Sequence, residues 1–340
     1  MSHRPTDEPF AGVYPAITTP FAADRSIDYE QLRADARRLE RAGVDGVVPA
    51  GSTGESATLT HDEHVEVVEA VVDAVDVPVV AGAGSNSTQE AVSLSRRCER
   101  AGADALLWIS PYYNKPEPEG MYEHYRELAD AVDVPGIVYN VPSRTGRAIE
   151  PDTVVDLAAH ENVAGYKAAG GDLAVVSEVV ERTRDESFSV LSGDDGLTLS
   201  ICSVGGTGTI SVAANVEPRR CVELVDAALA DEYARARRVH HDLGDLFRAL
   251  FVETNPIPVK EAMAIRGYGP ARLRPPLSRL SEENREYLEG ILADLSGERE
   301  GDAEPRDGSD ADGVDESVHG PDADRVEESV DEPDQRGVDR

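Results

Sequence analysis

Val163-Ala164-Gly165-Tyr166-Lys167-Ala168-Ala169 reads as a short strand that ends in a lysine and passes through small residues into a new helix. Lysine is scarce here. Only Lys115, Lys167 and Lys260 stand among the 33 lysines and arginines of the chain. A guanidinium stays protonated, whereas a desolvated ammonium can lose its proton and attack a carbonyl. Lys167 is therefore a candidate for a position where arginine would not serve. The plainer reading of the stretch taken alone is a chance surface lysine, and the surrounding chain decides between the two.

The same unit, a short apolar run followed by an amphipathic stretch, recurs on both sides. Eight strand candidates lie between Gly12 and Val212: Val13–Thr18, Gly46–Pro49, Val77–Ala81, Ala105–Ile109, Gly136–Tyr139, Val163–Lys167, Phe188–Leu191 and Thr209–Val212. The first intervening helix carries Leu32, Ala36 and Leu39 on one face, with Asp28 as its N-cap and Gly43 just past its end. The second opens with the capping-box spacing Thr60-His61-Asp62-Glu63. Repeated βα units, eight in succession, predict a closed (β/α)8 TIM barrel of the α/β class. Three further helical stretches, Asp231–Leu250, Pro256–Arg266 and Ser281–Leu295, predict a C-terminal helical subdomain. The expected organisation is a short segment 1–9, a barrel 10–230, the helical subdomain 231–295 and an acidic tail 296–340. Apolar residues almost vanish in that tail, which predicts disorder.

Composition narrows the function. The net charge is −33, and the 17 acidic and 5 basic residues from Ser296 onward leave the rest of the chain at −21. Acidity on that scale repels nucleic acid and anionic membranes, which depend on clustered Lys and Arg. Abundant carboxylates with almost no lysine fit a halophilic setting, where salt screens the repulsion. No apolar run is long enough for a membrane helix, and the N-terminus lacks a secretory h-region. The cysteines Cys98, Cys202 and Cys221 are too dispersed for a disulfide framework or zinc site, so reduced thiols in the cytoplasm are expected.

A barrel's active site lies at the C-terminal ends of its strands. There the chain places Lys167, Tyr139, the turn Gly51-Ser52-Thr53-Gly54-Glu55, the loop Tyr112-Tyr113-Asn114-Lys115, Arg144, Gly193 and Ile210. Burial at the mouth would lower the pKa of Lys167 toward neutrality. Tyr139 on the neighbouring strand can donate and accept through one oxygen while an imine forms, and Thr53 and Tyr113 could extend it into a hydroxyl relay. The backbone N–H groups of Ser52 and Thr53, in a turn at a helix start, would suit a carboxylate. Arg144 offers a fork for a second one. No metal cluster or dinucleotide fingerprint competes, and neither metal nor cofactor is expected.

Other signals are weaker. Ala50-Gly51-Ser52-Thr53-Gly54 resembles a nucleophile elbow but has Ala50 in place of the first glycine and no partnered histidine. Gly205-Gly206-Thr207-Gly208 reads as a tight approach to the last strand sooner than as a phosphate loop. Asp194-Asp195 reads as an N-cap sooner than as a metal site. His61 and His64 fit zinc or an effector, though a solvated helix face explains them alone.

Taken together, these residues resemble the dihydrodipicolinate synthase and N-acetylneuraminate lyase family of class I aldolases, over nearly all of residues 10–295. The resemblance is carried by Gly51-Ser52-Thr53-Gly54-Glu55, Pro111-Tyr112-Tyr113-Asn114-Lys115-Pro116, Tyr139-Asn140-Val141-Pro142-Ser143-Arg144-Thr145-Gly146, Gly165-Tyr166-Lys167 and Gly205-Gly206-Thr207-Gly208-Thr209-Ile210-Ser211-Val212. It implies that Lys167 forms a pyruvate imine, Tyr139 is the acid/base, and Ser52 and Thr53 hold the pyruvate carboxylate. It also implies that Tyr113 completes the relay in a neighbouring subunit of a homotetramer, a dimer of dimers, with Gly193 and Ile210 lining the substrate site. Arg144 matches the arginine with which the synthase branch holds aspartate-4-semialdehyde on the way to diaminopimelate and lysine. Ser56, Ala57, His61, His64, Asn86, Glu90 and Tyr112 match an effector site for lysine in that branch. Ser52 where many members carry threonine, and Ala168-Ala169-Gly170 after the lysine, depart from the pattern. A 2-keto-3-deoxy sugar acid aldolase and a non-catalytic scaffold remain as alternatives; Arg144 argues against the first, and Lys167, Tyr139, Tyr113 and Thr53 together against the second.

Overall fold

The computed structural model describes residues 8–301. Seven parallel strands are numbered here in chain order: β1 (Gly12–Pro15), β2 (Val80–Gly82), β3 (Ala105–Ile109), β4 (Gly136–Asn140), β5 (Val163–Ala168), β6 (Ser189–Ser192) and β7 (Gly208–Ser211). They pair in the order β1-β7-β6-β5-β4-β3-β2. The eighth stave is the segment 46–49. It bridges the two edges of this sheet through single parallel pairs, Ala16 with Val48 and Val47 with Val79. Val48 N–H donates to Pro15 O at 2.8 Å, and Val80 N–H donates to Val47 O at 2.9 Å. The predicted second strand is thus present as a short stave, and it closes the barrel. Pro49 and Pro78 each lack a ladder donor, which keeps the pairing short.

Helix starts follow the sequence signals. Asp28 caps Tyr29–Arg41 by accepting from Gln31 N–H at 3.0 Å, and Leu32, Ala36 and Leu39 are fully buried. Thr60 and Glu63 form the reciprocal capping box of His61–Val72. Apolar side chains divide into two layers around the sheet. Tyr14, Val48, Val80, Leu107, Ile137, Leu191 and Ile210 fill the barrel interior. Trp108, Val138, Tyr166 and Val190 face outward into the layer shared with the helices. The glycine-rich run before β7 is a close approach, as predicted: a Cβ on Gly208 would stand 2.0 Å from Gly12 O.

After the barrel come the helices Tyr233–Ala249, Ile257–Ile265 and Glu282–Gly301. Leu243, Leu246, Val259, Leu288 and Leu292 share one apolar core with Val225 and Leu224 of the helix Pro218–Leu229. The last helix continues through Ser296–Gly301, where the sequence predicts the tail to begin. Ser296 there accepts from Arg266 Nη1 at 2.5 Å, an anchor that composition does not reveal. Residues 1–7 of the expected segment 1–9, and residues 302–340 of the expected acidic tail with its predicted disorder, lie outside the described residues. No helix among the described residues is long and apolar enough to cross a membrane.

Candidate active site

Lys167 projects into the barrel from β5, between the outward-facing Tyr166 and Ala168. Its backbone is in register with Tyr139 on β4 and Leu191 on β6. Lys167 is 5% exposed, and Nζ lies over the Tyr139 ring, 4.1 Å from its centroid. Desolvation lowers its pKa from 10.5 to about 7; Asp195 pulls it back up, and the Arg144 guanidinium lowers it further. The neutral, nucleophilic form of the amine is therefore far more accessible near neutral pH than for an ordinary lysine. Burial pushes the Tyr139 phenol up to about 12, opposed by Arg144 and by a hydrogen bond with the Ser52 side chain, so Tyr139 stays protonated at neutral pH.

Asp195 is held off the amine by three bonds to the end of β7. It accepts from Ser211 Oγ at 2.5 Å, Val212 N–H at 3.0 Å and Ala213 N–H at 2.8 Å. Its neighbour Asp194 caps a short 3₁₀ turn through Gly196 N–H, the capping role predicted for this pair. No group of three or more His, Cys, Asp or Glu among the described residues could hold a metal. Gly193 packs against the lysine stem: a Cβ there would stand 2.9 Å from Lys167 Cε. Ile210 is 1% exposed, within the barrel-interior cluster.

The turn Gly51–Glu55 approaches the same mouth with Ala50 and Glu55 in the left-handed region, at φ of 54° and 55°. The sequence predicts a helix start here, but the structure has only the 3₁₀ turn Ser56–Thr58, and the α-helix begins at His61. The departure has a cause at Glu55, whose fully buried carboxylate turns inward to ion-pair with Lys260. Lys260 also donates to Thr19 O at 2.7 Å and Arg272 O at 2.8 Å, and Glu55 accepts from Arg274 N–H at 3.0 Å. The N–H groups of Ser52 and Thr53 donate to no backbone acceptor among the described residues. The expected helix dipole is therefore absent from this turn.

Arg144 lies in the short helix Pro142–Thr145 directly after β4, and its Nη2 donates to Asn255 O at 2.9 Å. Asn255 also donates from Nδ2 to Thr53 Oγ1 at 3.0 Å. The sequence reading missed both Asn255 and the Lys260–Glu55 pair. Lysine scarcity singles out Lys260 as much as Lys167, so that signal was present; Asn255 sits in a link without periodicity and had none. Tyr113 lies outside the barrel interior that holds Lys167 and Tyr139. It is 88% exposed, with Tyr112 beside it at 40%.

Of the effector candidates, His61 Nε2 lies 3.3 Å from Glu90 Oε1, and the Asn86 carbonyl accepts from Asn114 Nδ2 at 2.7 Å. His64 is buried, not on a solvated face. Its Nε2 is 2.6 Å from Gly82 O, and desolvation lowers its pKa to about 4. Ser56 is partly buried and Ala57 exposed in the turn before that helix.

A buried lysine with a lowered pKa, stacked on a tyrosine ring in the mouth of a closed barrel, fits a class: lyases of the class I aldolase type, which hold a carbonyl substrate as an imine. A sequence model of the dihydrodipicolinate synthetase family matches residues 9–295, and the chain belongs to that family. It is 67% identical to a 4-hydroxy-tetrahydrodipicolinate synthase of Haloarcula marismortui, over 85% of this chain and 95% of that one. A dihydrodipicolinate synthase structure from Aquifex aeolicus superposes with a TM-score of 0.82 at 44% identity, covering 84% of this chain and 98% of the other. A structure of the enzyme from Cyanidioschyzon merolae with lysine bound matches at 36% identity and a TM-score of 0.80, over 84% and 98% of the two chains.

Proposed function

We infer that this chain carries 4-hydroxy-tetrahydrodipicolinate synthase activity, condensing pyruvate with L-aspartate-4-semialdehyde toward diaminopimelate and lysine. Beyond family membership, the observation that carries the chemistry is Lys167, buried beside Tyr139 with its pKa lowered to about 7. Neutral Nζ attacks the pyruvate C2 carbonyl. Tyr139 donates a proton to the departing oxygen, water leaves, and an imine forms. Loss of a C3 proton gives an enamine, which attacks the semialdehyde carbon. The amino group of the second substrate then displaces Lys167 and closes the ring. Ser52 and Thr53 hold the pyruvate carboxylate, Gly193 and Ile210 shape its pocket, and Arg144 holds the carboxylate of the semialdehyde. The lysine is its own electron sink, so no cofactor enters the scheme.

The exposed Tyr113 fits a residue lent to a second copy, which supports a dimer of dimers in which it extends the hydroxyl relay of Tyr139. A biosynthetic role of this kind belongs in the cytoplasm. The contact of His61 with Glu90 supports a second proposal, lysine as a feedback ligand held by Ser56, Ala57, His61, His64, Asn86, Glu90 and Tyr112. A coupled assay in molar salt with pyruvate and aspartate-semialdehyde, with and without lysine, tests both. Turnover suppressed by lysine is expected. Unsuppressed turnover would remove the regulatory reading, and turnover only with 2-keto-3-deoxy sugar acids would overturn the synthase reading.

A further inference from the structure

We propose that Asn140 is a positioning residue for Arg144 and, through it, for the second substrate; the proposal rests on the synthase reading above. Asn140 is the last residue of β4, in register with Ala168 on β5. Strand alternation turns its side chain away from the barrel interior that holds Tyr139, toward the outer layer that holds Tyr166. There the buried amide uses both of its ends. Oδ1 accepts from Ile149 N–H at 3.1 Å, and Nδ2 donates to Tyr166 Oη at 2.8 Å. A backbone N–H can only donate, so the amide has one orientation that satisfies it. The main-chain oxygen of Asn140 is also engaged, accepting from Ala169 N–H at 2.9 Å.

These bonds close a loop. Residues 141–148 leave β4, form the short helix Pro142–Thr145 that carries Arg144, and return to the buried Ile149. Asn140 stands at one end of this loop and holds the other end through Ile149, as in compact loops whose ends meet. Beyond the loop, Arg147 pairs with the exposed Glu117, a surface contact worth little. Arg144 itself reaches Asn255 O at 2.9 Å. That bond fixes the tip of the side chain, whereas the place of its backbone is set by the closed base. The guanidinium charge lowers the pKa of both Lys167 and Tyr139, and the same group is the proposed fork for the semialdehyde carboxylate. With the base open, Arg144 can withdraw toward water, where its charge is screened. Both of its effects should then weaken together. Lys167, on β5, and the Ser52–Thr53 turn assigned to pyruvate lie outside the loop and keep their places.

The test compares Asn140→Ala, Tyr166→Phe, Arg144→Ala and the double variant Asn140→Ala/Arg144→Ala in the full chain. Two quantities are read: turnover at saturating pyruvate with varied aspartate-semialdehyde, and the pH profile of borohydride trapping of pyruvate. For Asn140→Ala we expect kcat/KM for the semialdehyde to fall about 10- to 100-fold and the trapping plateau to change less than about threefold. The rising limb of trapping should move to higher pH, no further than in Arg144→Ala. In the Arg144→Ala background, removing the amide should cost nothing more. Tyr166→Phe keeps the ring and the Ile149 bond, so its loss should be smaller, about 2- to 10-fold, on the same plateau; it decides the matter if Asn140→Ala does not fold. Unchanged kcat/KM for the semialdehyde, an equal loss of trapping and turnover, or additive losses in the double variant would each overturn the proposal. A wild-type chain that traps pyruvate but does not turn over the semialdehyde would remove the synthase reading, and a limb unmoved in Asn140→Ala would then remove this inference as well. A wild-type chain that traps no pyruvate would remove both.

Discussion

Gly193→Ala places one methyl group against the stem of the imine-forming lysine. The glycine N–H donates to Ala168 O at 2.7 Å, and its backbone lies outside the left-handed region, so alanine fits the chain path. The new Cβ does not fit the space: it would stand 2.8 Å from Ala169 Cβ, 2.9 Å from Lys167 Cε and 3.1 Å from Lys167 Cγ. Carbon atoms pack best at about 3.5–4.0 Å, so the lysine stem must withdraw by roughly 0.5–1 Å and carry Nζ with it. A misplacement of about 1 Å can cost on the order of 100-fold in rate. Overpacking of this kind costs about 1–3 kcal/mol of stability, which a folded barrel should survive. The assay mixes enzyme with pyruvate, quenches with borohydride at short intervals and measures the reduced adduct, beside a thermal melt. We expect adduct formation about 10- to 100-fold slower with the melt only modestly lowered. An unchanged rate would refute the claim that Gly193 sets the position of Lys167.

The pyruvate trapping rate should rise tenfold per pH unit below about 7 and then level off, because Lys167 titrates there and not at 10.5. Arg144→Ala should move that limb to higher pH, since its charge holds the amine's pKa down, and should weaken use of the semialdehyde while pyruvate still binds; a limb that stays in place would contradict the electrostatic assignment. Because the folded chain binds fewer protons at Lys167 than the unfolded chain between pH 7 and 10.5, this group's contribution to stability grows as pH rises through that window and is at its least below pH 7. Lys260→Met strands the buried Glu55 carboxylate and should cost about 3–5 kcal/mol in denaturant melts, part of which Lys260→Met/Glu55→Gln should recover. With a net charge of −33, the melting temperature should climb as KCl is raised from millimolar to molar, and a flat profile would count against a halophilic surface.

Much of this was legible in one dimension. Strand ends are marked by local chemistry, so Lys167, Tyr139 and the Gly51–Glu55 turn could be placed at the barrel mouth from periodicity alone. The capping signals at Asp28 and Thr60 also act within a few residues of themselves. What escaped was set by contacts distant in sequence. The bond from Asn255 to Thr53 spans 202 positions, and the pair Lys260–Glu55 spans 205. That pair helps pin Glu55 in its left-handed conformation, which replaces the expected helix start with a 3₁₀ turn. Helix spacing taken alone would put His64 on a solvated face, and it is wrong there for a similar reason. The bond to Gly82 O, on the neighbouring strand, draws it inward, and helix periodicity alone does not report that.

The most direct test of the central claim is to treat the full-length chain with pyruvate and borohydride, digest it, and locate the adduct by mass spectrometry. The account predicts one reduced pyruvyl group on Lys167, absent from Lys167→Arg and absent from Lys115 and Lys260 in both proteins. An adduct at another lysine, or none in a chain that still consumes pyruvate and aspartate-semialdehyde, would contradict it.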